Sequence, residues 1–145
     1  MSKKKRPQLG KLPPKHTFFL NPYVDARFTR CPSCDKPNKA RKFPFLINVS
    51  PMQPLVLNMT GRYCPKCDLL ILHQDRVEAL IAFTLQKSAP SLIGNEYLVV
   101  GTVERKAWRE SQKQKGNLKM IVDNLHGFKE VVVFEPEHYG WVPDE

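Results

Sequence analysis

Two tetrapeptides, Cys31-Pro32-Ser33-Cys34 and Cys64-Pro65-Lys66-Cys67, hold all four cysteines of the chain, with 29 residues between them. A C-P-x-C hook lets a tight turn aim two thiolates at one point. Two hooks together supply four sulfurs at the corners of a tetrahedron, which zinc accepts without geometric strain. No cysteine is left over, and the spacing suits a zinc ribbon or a related pair of knuckles. The expected metal ligands are therefore Cys31, Cys34, Cys64 and Cys67, and the expected cofactor is Zn2+. Four cysteines close the shell, as in a structural site, whereas a catalytic zinc keeps one position open. Two disulfides are the competing arrangement, but nothing in the sequence indicates export to an oxidising compartment. A thioredoxin-like redox pair needs one hook at a helix start, and neither hook leads into a helical pattern. His73, six residues past the last cysteine, could replace one ligand but reads as a surface residue at a strand-to-helix junction.

At 145 residues and 16.7 kDa, the chain is long enough for one domain with appendages or for two very small modules. A module of about 60 residues buries little surface by itself, so a metal staple is a reasonable expectation there. The net charge of +9 is unevenly spread. Residues 1–62 carry thirteen basic side chains against Asp25 and Asp35, residues 63–90 are balanced, and residues 91–145 carry seven bases against nine acids. That asymmetry is the footprint of a polyanion binder, set against the plainer reading of a solvated surface and tail. There is no transmembrane stretch, and the basic N-terminus lacks the apolar core of a secretory signal. A cytoplasmic location is expected.

Residues 1–22 read as a basic tail that is disordered over its first dozen or so residues. Lys3, Lys4, Lys5 and Arg6 could run along a phosphate backbone or simply solubilise the terminus, and Phe18, Phe19 and Leu20 are expected to tuck onto the zinc module. Residues 23–88 read as a four-cysteine zinc-ribbon module with a C-terminal helix. Its strands are expected at 43–49, 55–60 and 69–72, with a turn at Ser50-Pro51-Met52-Gln53-Pro54. Asp75 as N-cap with Glu78 three residues on resembles a capping box, and Val77, Leu80, Ile81 and Leu85 form the helix's apolar stripe. Residues 86–96 are a linker. Residues 96–136 read as a small β-α-β unit, with strands at 98–103 and 131–134. Between them lie a polar helical stretch anchored by Trp108 and a helix capped by Asn117, which carries Leu118, Ile121, Val122 and Leu125 and ends at Gly127. Residues 137–145 are a tail. The fold class expected is α+β, a zinc-ribbon β-hairpin module followed by a small β-α-β unit.

The stretch from Cys31 to Leu80, with its first C-P-x-C, hairpin, second C-P-x-C, apolar strand and short helix, resembles the YgiT-type zinc finger, the N-terminal zinc domain of MqsA-type antitoxins. The resemblance covers about a third of the chain and implies zinc on Cys31, Cys34, Cys64 and Cys67 in an interaction module. Asp35 and Asp68 stand where that family usually has glycine after the second cysteine of each pair, tolerable because Asp can visit the left-handed region. The helix-turn-helix that follows in such antitoxins has no counterpart here, so DNA repression does not carry over.

No P-loop, G-x-S-x-G, H-E-x-x-H or dinucleotide-binding glycine pattern is present. The four histidines (His16, His73, His126, His138) are scattered. His126 beside Gly127 reads as a cation at a helix C-terminus, and Glu135, Glu137 and His138 near Trp141 as a solvated tail. No enzymatic activity is expected. The binding candidates are Lys36, Lys39, Arg41 and Lys42 beside the first hook and Arg62 and Lys66 beside the second, with Lys3, Lys4, Lys5 and Arg6 in the tail. Phe43, Phe45 and Tyr63 interleave with them, either as core or as platforms for unpaired bases. The function expected is non-catalytic binding of nucleic acid, RNA before DNA, or of a ribonucleoprotein. A zinc-stapled protein–protein adaptor is the alternative, and a thiol redox switch the third reading.

Overall fold

A backbone of alternating inward and outward side chains can shield one apolar face only by packing it on something, and here the sheet packs on itself. The computed structural model describes residues 3–5 (backbone only), 12–113 and 118–134. Its strands are β1 (Lys3–Lys5), β2 (Thr17–Asn21), β3 (Lys39–Val49), β4 (Gln53–Cys64), β5 (Leu69–His73), β6 (Tyr97–Val103), β7 (Leu125–Gly127) and β8 (Glu130–Val132). Helix α1 (Gln74–Ser88) leaves β5 directly, and α2 (Arg105–Lys113) and α3 (Leu118–Asp123) lie between β6 and β7. The fold is mixed α+β. The strands form one eight-stranded sheet in the order β1-β8-β2-β5-β4-β3-β6-β7.

The two ends of that order meet. Strands β7 and β8 are separated by only Phe128 and Lys129, so the segment 125–132 pairs with β6 through its first part and with β2 through its second. Leu12 bridges His126 in parallel. The Lys15 amide donates to the Gly127 carbonyl (2.8 Å), and the Lys129 amide donates to the His16 carbonyl (2.8 Å). The sheet thus curls into a closed wall, which leaves few unpaired edge groups. A register shift between Leu46 and Ile47, where β3 meets β6, marks a bulge, and bulges add the local twist that curling needs.

Inside the wall, Phe18, Phe45, Ile47, Leu57, Leu70, Leu72, Val99 and Phe128 form the main core, joined by Val77, Ile81 and Leu85 of α1. Phe18 and Phe128 stack with ring centroids 4.3 Å apart. Outside it, Leu46, Val103 and Leu125 are covered by Ala107 of α2 and Ile121 of α3. A second outer patch, Phe19, Leu69, Ile71 and Val132, is covered by Ala26, Phe28 and the cysteines.

Several expectations change. The segment 96–136 is no separate unit, because β6 pairs with β3 and β8 with β2 in the same sheet. Thr17–Asn21 is a central strand, because its alternate residues face two different cores; most of the expected disordered stretch and the tail 137–145 lie outside the described residues. The hairpin is longer than its apolar pattern, since Lys39–Lys42 pair with β4 although exposed. Helix α1 takes His73 as N-cap with no side-chain cap bond, and Glu78 instead accepts from Gln74 and from the Tyr97 hydroxyl. Helix α3 stops at Asp123 because Asn124 turns back on it, its side chain donating to the Met120 carbonyl. Leu125 and Gly127 are therefore strand residues. His126, also in the strand, faces acceptors with both ring nitrogens, the Pro13 carbonyl (2.7 Å) and the Glu104 carboxylate. Asn117 lies outside the described residues, as do Glu135, Glu137, His138 and Trp141. No helix among the described residues is long and apolar enough to cross a membrane.

Gly101 marks the tightest approach of β6 to β7. A Cβ there would lie 2.1 Å from the His126 carbonyl oxygen, so the backbones would have to part. Gly101→Ala is expected to lower stability by about 1–3 kcal/mol, whereas Leu98→Ala, at an exposed position of the same strand, stays within about 0.5 kcal/mol. Denaturant unfolding of the two variants checks this.

Candidate metal centre

Each hook is built by a chain reversal that ends in a left-handed residue. In the first, the Cys31 amide donates to the Lys36 carbonyl (2.8 Å), the Asp35 amide donates to the Cys31 carbonyl (2.8 Å), and Asp35 has φ 62°. The second is the turn between β4 and β5, where Cys64 pairs with Leu69 across the turn and Asp68 has φ 55°. Both aspartates occupy the region that glycine takes most cheaply.

The four sulfurs lie within 4.8 Å of one another, and Cys34 and Cys64 Sγ are 3.6 Å apart. Thiolates about 2.3 Å from a tetrahedral ion are about 3.8 Å apart, so the cluster fits. It does not fit disulfides, whose sulfurs are about 2.05 Å apart, and all four cysteines are free. Four cysteines in this arrangement can hold a metal ion. Cys31 and Cys64 are buried (2% and 1% exposed), while Cys34 and Cys67 are half-buried. Burial pushes the Cys31 thiol up to about 12, against the pull of the Cys34 and Ser33 amides. The Lys36 amide holds the Cys34 thiol down at about 7, and burial raises Cys67. An incoming ion must displace these protons, so its affinity falls as the solution is acidified.

Next to the second hook lies a polar cluster that the sequence did not reveal. The Asp68 carboxylate accepts from His16 Nδ1 (2.6 Å), the Tyr63 hydroxyl (2.7 Å) and Lys129 Nζ (2.9 Å). Burial opposes the charged form, but the bonds from Lys129, Tyr63 and His16 outweigh it and hold the carboxyl at about 2. Burial also lowers His16, and because an ionised carboxylate can only accept, Nδ1 carries the proton of this bond. His16 stands 52 residues from Asp68 and Lys129 stands 61 away, and no short motif spans such separations. The one signal was an aspartate directly after a hook.

Of the predicted binding residues, Lys36, Lys39, Arg41, Lys42 and Lys66 are exposed and Arg62 is half-buried. The hairpin's pleat divides them. Lys39 and Arg41 share a face with Phe43 and Tyr63, whereas Lys42 and Arg62 stand on the other. The Arg41 guanidinium lies 5.3 Å from the Phe43 ring centre and 5.4 Å from that of Tyr63. Phe45 is wholly buried core. Backbone alone is described for Lys3, Lys4 and Lys5, paired with β8, and Arg6 lies outside the described residues. His73 is at the strand-to-helix junction as expected, half-buried, with the Asn21 amide donating to its Nδ1 (3.1 Å); it is no part of the sulfur cluster.

Elemental analysis of the purified chain is expected to find one metal ion per molecule, and Cys64→Ser to lose both the ion and cooperative unfolding. Substituting the two left-handed aspartates separates backbone from side-chain roles. Asp35, 81% exposed and paired only with Arg30, is expected to tolerate glycine within about 1 kcal/mol. Asp68→Gly leaves the buried His16 and the half-buried Tyr63 without their acceptor and is expected to cost about 2–3 kcal/mol. Thermal or denaturant unfolding of the metal-loaded variants measures both.

Comparison of the chain with protein-family models, curated proteins and solved structures finds no match.

Proposed function

We propose that the chain is a non-catalytic zinc protein, in which a four-cysteine knuckle pair in the manner of a zinc ribbon fastens a basic surface to the barrel wall, and that this surface binds nucleic acid, RNA before DNA, free or within a ribonucleoprotein. Zinc is the ion of choice for an all-thiolate tetrahedral site, and four thiolates leave it no open position for catalytic water.

The observation that carries the binding reading is the unneutralised charge around the hooks. Four ion pairs exist among the described residues, and only those of Arg30 and Lys129 use an arginine or lysine. Lys36, Lys39, Arg41, Lys42 and Lys66 face solvent and take part in none of the ion pairs among the described residues, a surface suited to phosphates. Half-buried Tyr63 and Phe43 beneath Arg41 favour a strand with unpaired bases, which RNA presents more often than duplex DNA.

Affinity for single- and double-stranded RNA and DNA across a salt series tests this with the zinc-loaded chain. A steep fall of log K with log salt is expected, by about 0.7 per neutralised phosphate for a single strand. Lys36→Ala and Lys66→Ala should each lower that slope by about 1 or less without changing sequence preference. No binding at about 0.1 M salt, or affinity insensitive to salt, would sink the proposal.

A further inference from the structure

Helix α1 turns Val77, Ile81 and Leu85 into the core, yet it also holds Phe83, which is 75% exposed. A single exposed apolar side chain is ordinary on a protein surface; what sets Phe83 apart is the groove beside it. Phe83 borders an open groove of about 440 Å³, floored by Met59, Ala79 and Leu80 and flanked by Lys42 and Arg76. That volume is within the range of small-ligand sites, about 300–1,000 Å³. No acidic residue lines the groove.

The positive charge continues beyond it. His73, at the base of α1, is lowered first by burial and then by Arg76, with Arg62 and Arg27 adding to the effect and Asp75 opposing it. Arg76 stands in the first turn of α1, and it and Lys42 are the two cations that line the groove. Arg27, Arg62, Arg76 and Lys42 take part in none of the ion pairs among the described residues. A ring over an apolar floor with cations on its flanks matches the two faces of a single-stranded nucleotide, a flat base and a charged phosphate.

We propose that this groove seats an unpaired base of a single-stranded nucleic acid, with Phe83 stacking on the base and Arg76 and Lys42, which line the groove, holding the phosphates on either side. The proposal rests on the nucleic-acid reading above and gives it a site and a strand type. It adds to the hook lysines a contact for one base at the helix–hairpin groove.

The test is binding of the full zinc-loaded chain to a single-stranded oligouridylate and to a duplex of the same length. Phe83→Ala is expected to weaken binding of the single strand about 10–100-fold, within the range for loss of one stacked base. Because the ring carries no charge, the salt slope should not change. Phe83→Trp should restore affinity, and Arg76→Ala should reduce the salt slope by about 1 or less. These substitutions fall on the helix's outer surface, and an unchanged unfolding midpoint verifies that the fold is kept. Wild-type binding that Phe83→Ala leaves intact overturns the groove while the broader nucleic-acid reading stands. A Phe83→Ala variant that binds normally but changes the mass of the particle in solution assigns the groove to self-association instead. Failure of the wild-type chain to bind any strand removes both proposals together.

Discussion

One run of backbone hydrogen bonds, between residues 12–18 and 125–131, turns the sheet into a closed wall. It joins chain segments more than a hundred residues apart, in parallel, where local preference helps little. Without it β2 and β7 would each present an open edge, and the stacked pair Phe18–Phe128 would lose one side of its enclosure. Side-chain fasteners sit at both ends of the seam. His126 ties the strand after α3 to the Pro13 carbonyl and to Glu104 at the start of α2. Asp68 gathers His16 from one segment and Lys129 from the other.

The second fastener explains why the sulfur cluster lies where it does. Asp68 follows Cys67 in the turn from β4 to β5, and its left-handed backbone sends the chain back along β4. An ion that fixes Cys64 and Cys67 therefore fixes the carboxylate on which the seam closes. The same ion, through Cys31 and Cys34, would draw residues 28–38 onto the outside of the wall, over Phe19, Leu69 and Ile71. That loop offers Phe28 and two cysteines as its apolar anchors, too little burial to offset the entropy of ordering it unaided. Metal binding is thus coupled to the outer layer through the loop and to closure through Asp68.

The elements read correctly from the sequence were those whose signal is local. Both hooks follow from cysteine spacing, the left-handed aspartates from their place after each hook, and α1 from the Val77, Ile81 and Leu85 stripe. The turn after Val49 follows from its prolines. Closure of the wall left no local trace, because Leu12–Lys15 contribute mainly backbone groups to it. Lys39–Lys42 carry no apolar alternation, so the hairpin seemed shorter than it is. Leu125 kept helical spacing with Leu118 and Ile121, and only the return of the Asn124 side chain onto Met120 ends the helix before it. The basic residues of the site were legible as a list but not as a surface, because the pleat sends Lys42 and Arg62 away from Lys39 and Arg41. Arg27, Arg76 and Phe83 were passed over since each is unremarkable in its own segment.

The hairpin's basic end has a mechanical consequence. Strand β3 gains a second neighbour, β6, only from Phe45 onward, so residues 39–44 form an edge of the sheet, beside a β4 that β5 holds from the other side at Arg62–Cys64. An edge strand is paired on one side only, and Lys39 and Arg41, two residues apart on one face, add mutual repulsion. This edge is also tied at both of its ends. One end merges with the wall; at the other, β4 terminates in Cys64 and β3 begins five residues past Cys34, so both strands are anchored to the sulfur cluster. The Arg105 guanidinium, donating to the Lys42 carbonyl (2.8 Å) and to Asn58, braces the edge from the side. Loss of the metal would free the hook end and let the edge fray, scattering the charges that the fold now holds in fixed register. An ion in the sulfur cluster would therefore be coupled to the basic edge: it need not touch those charges to hold them in register.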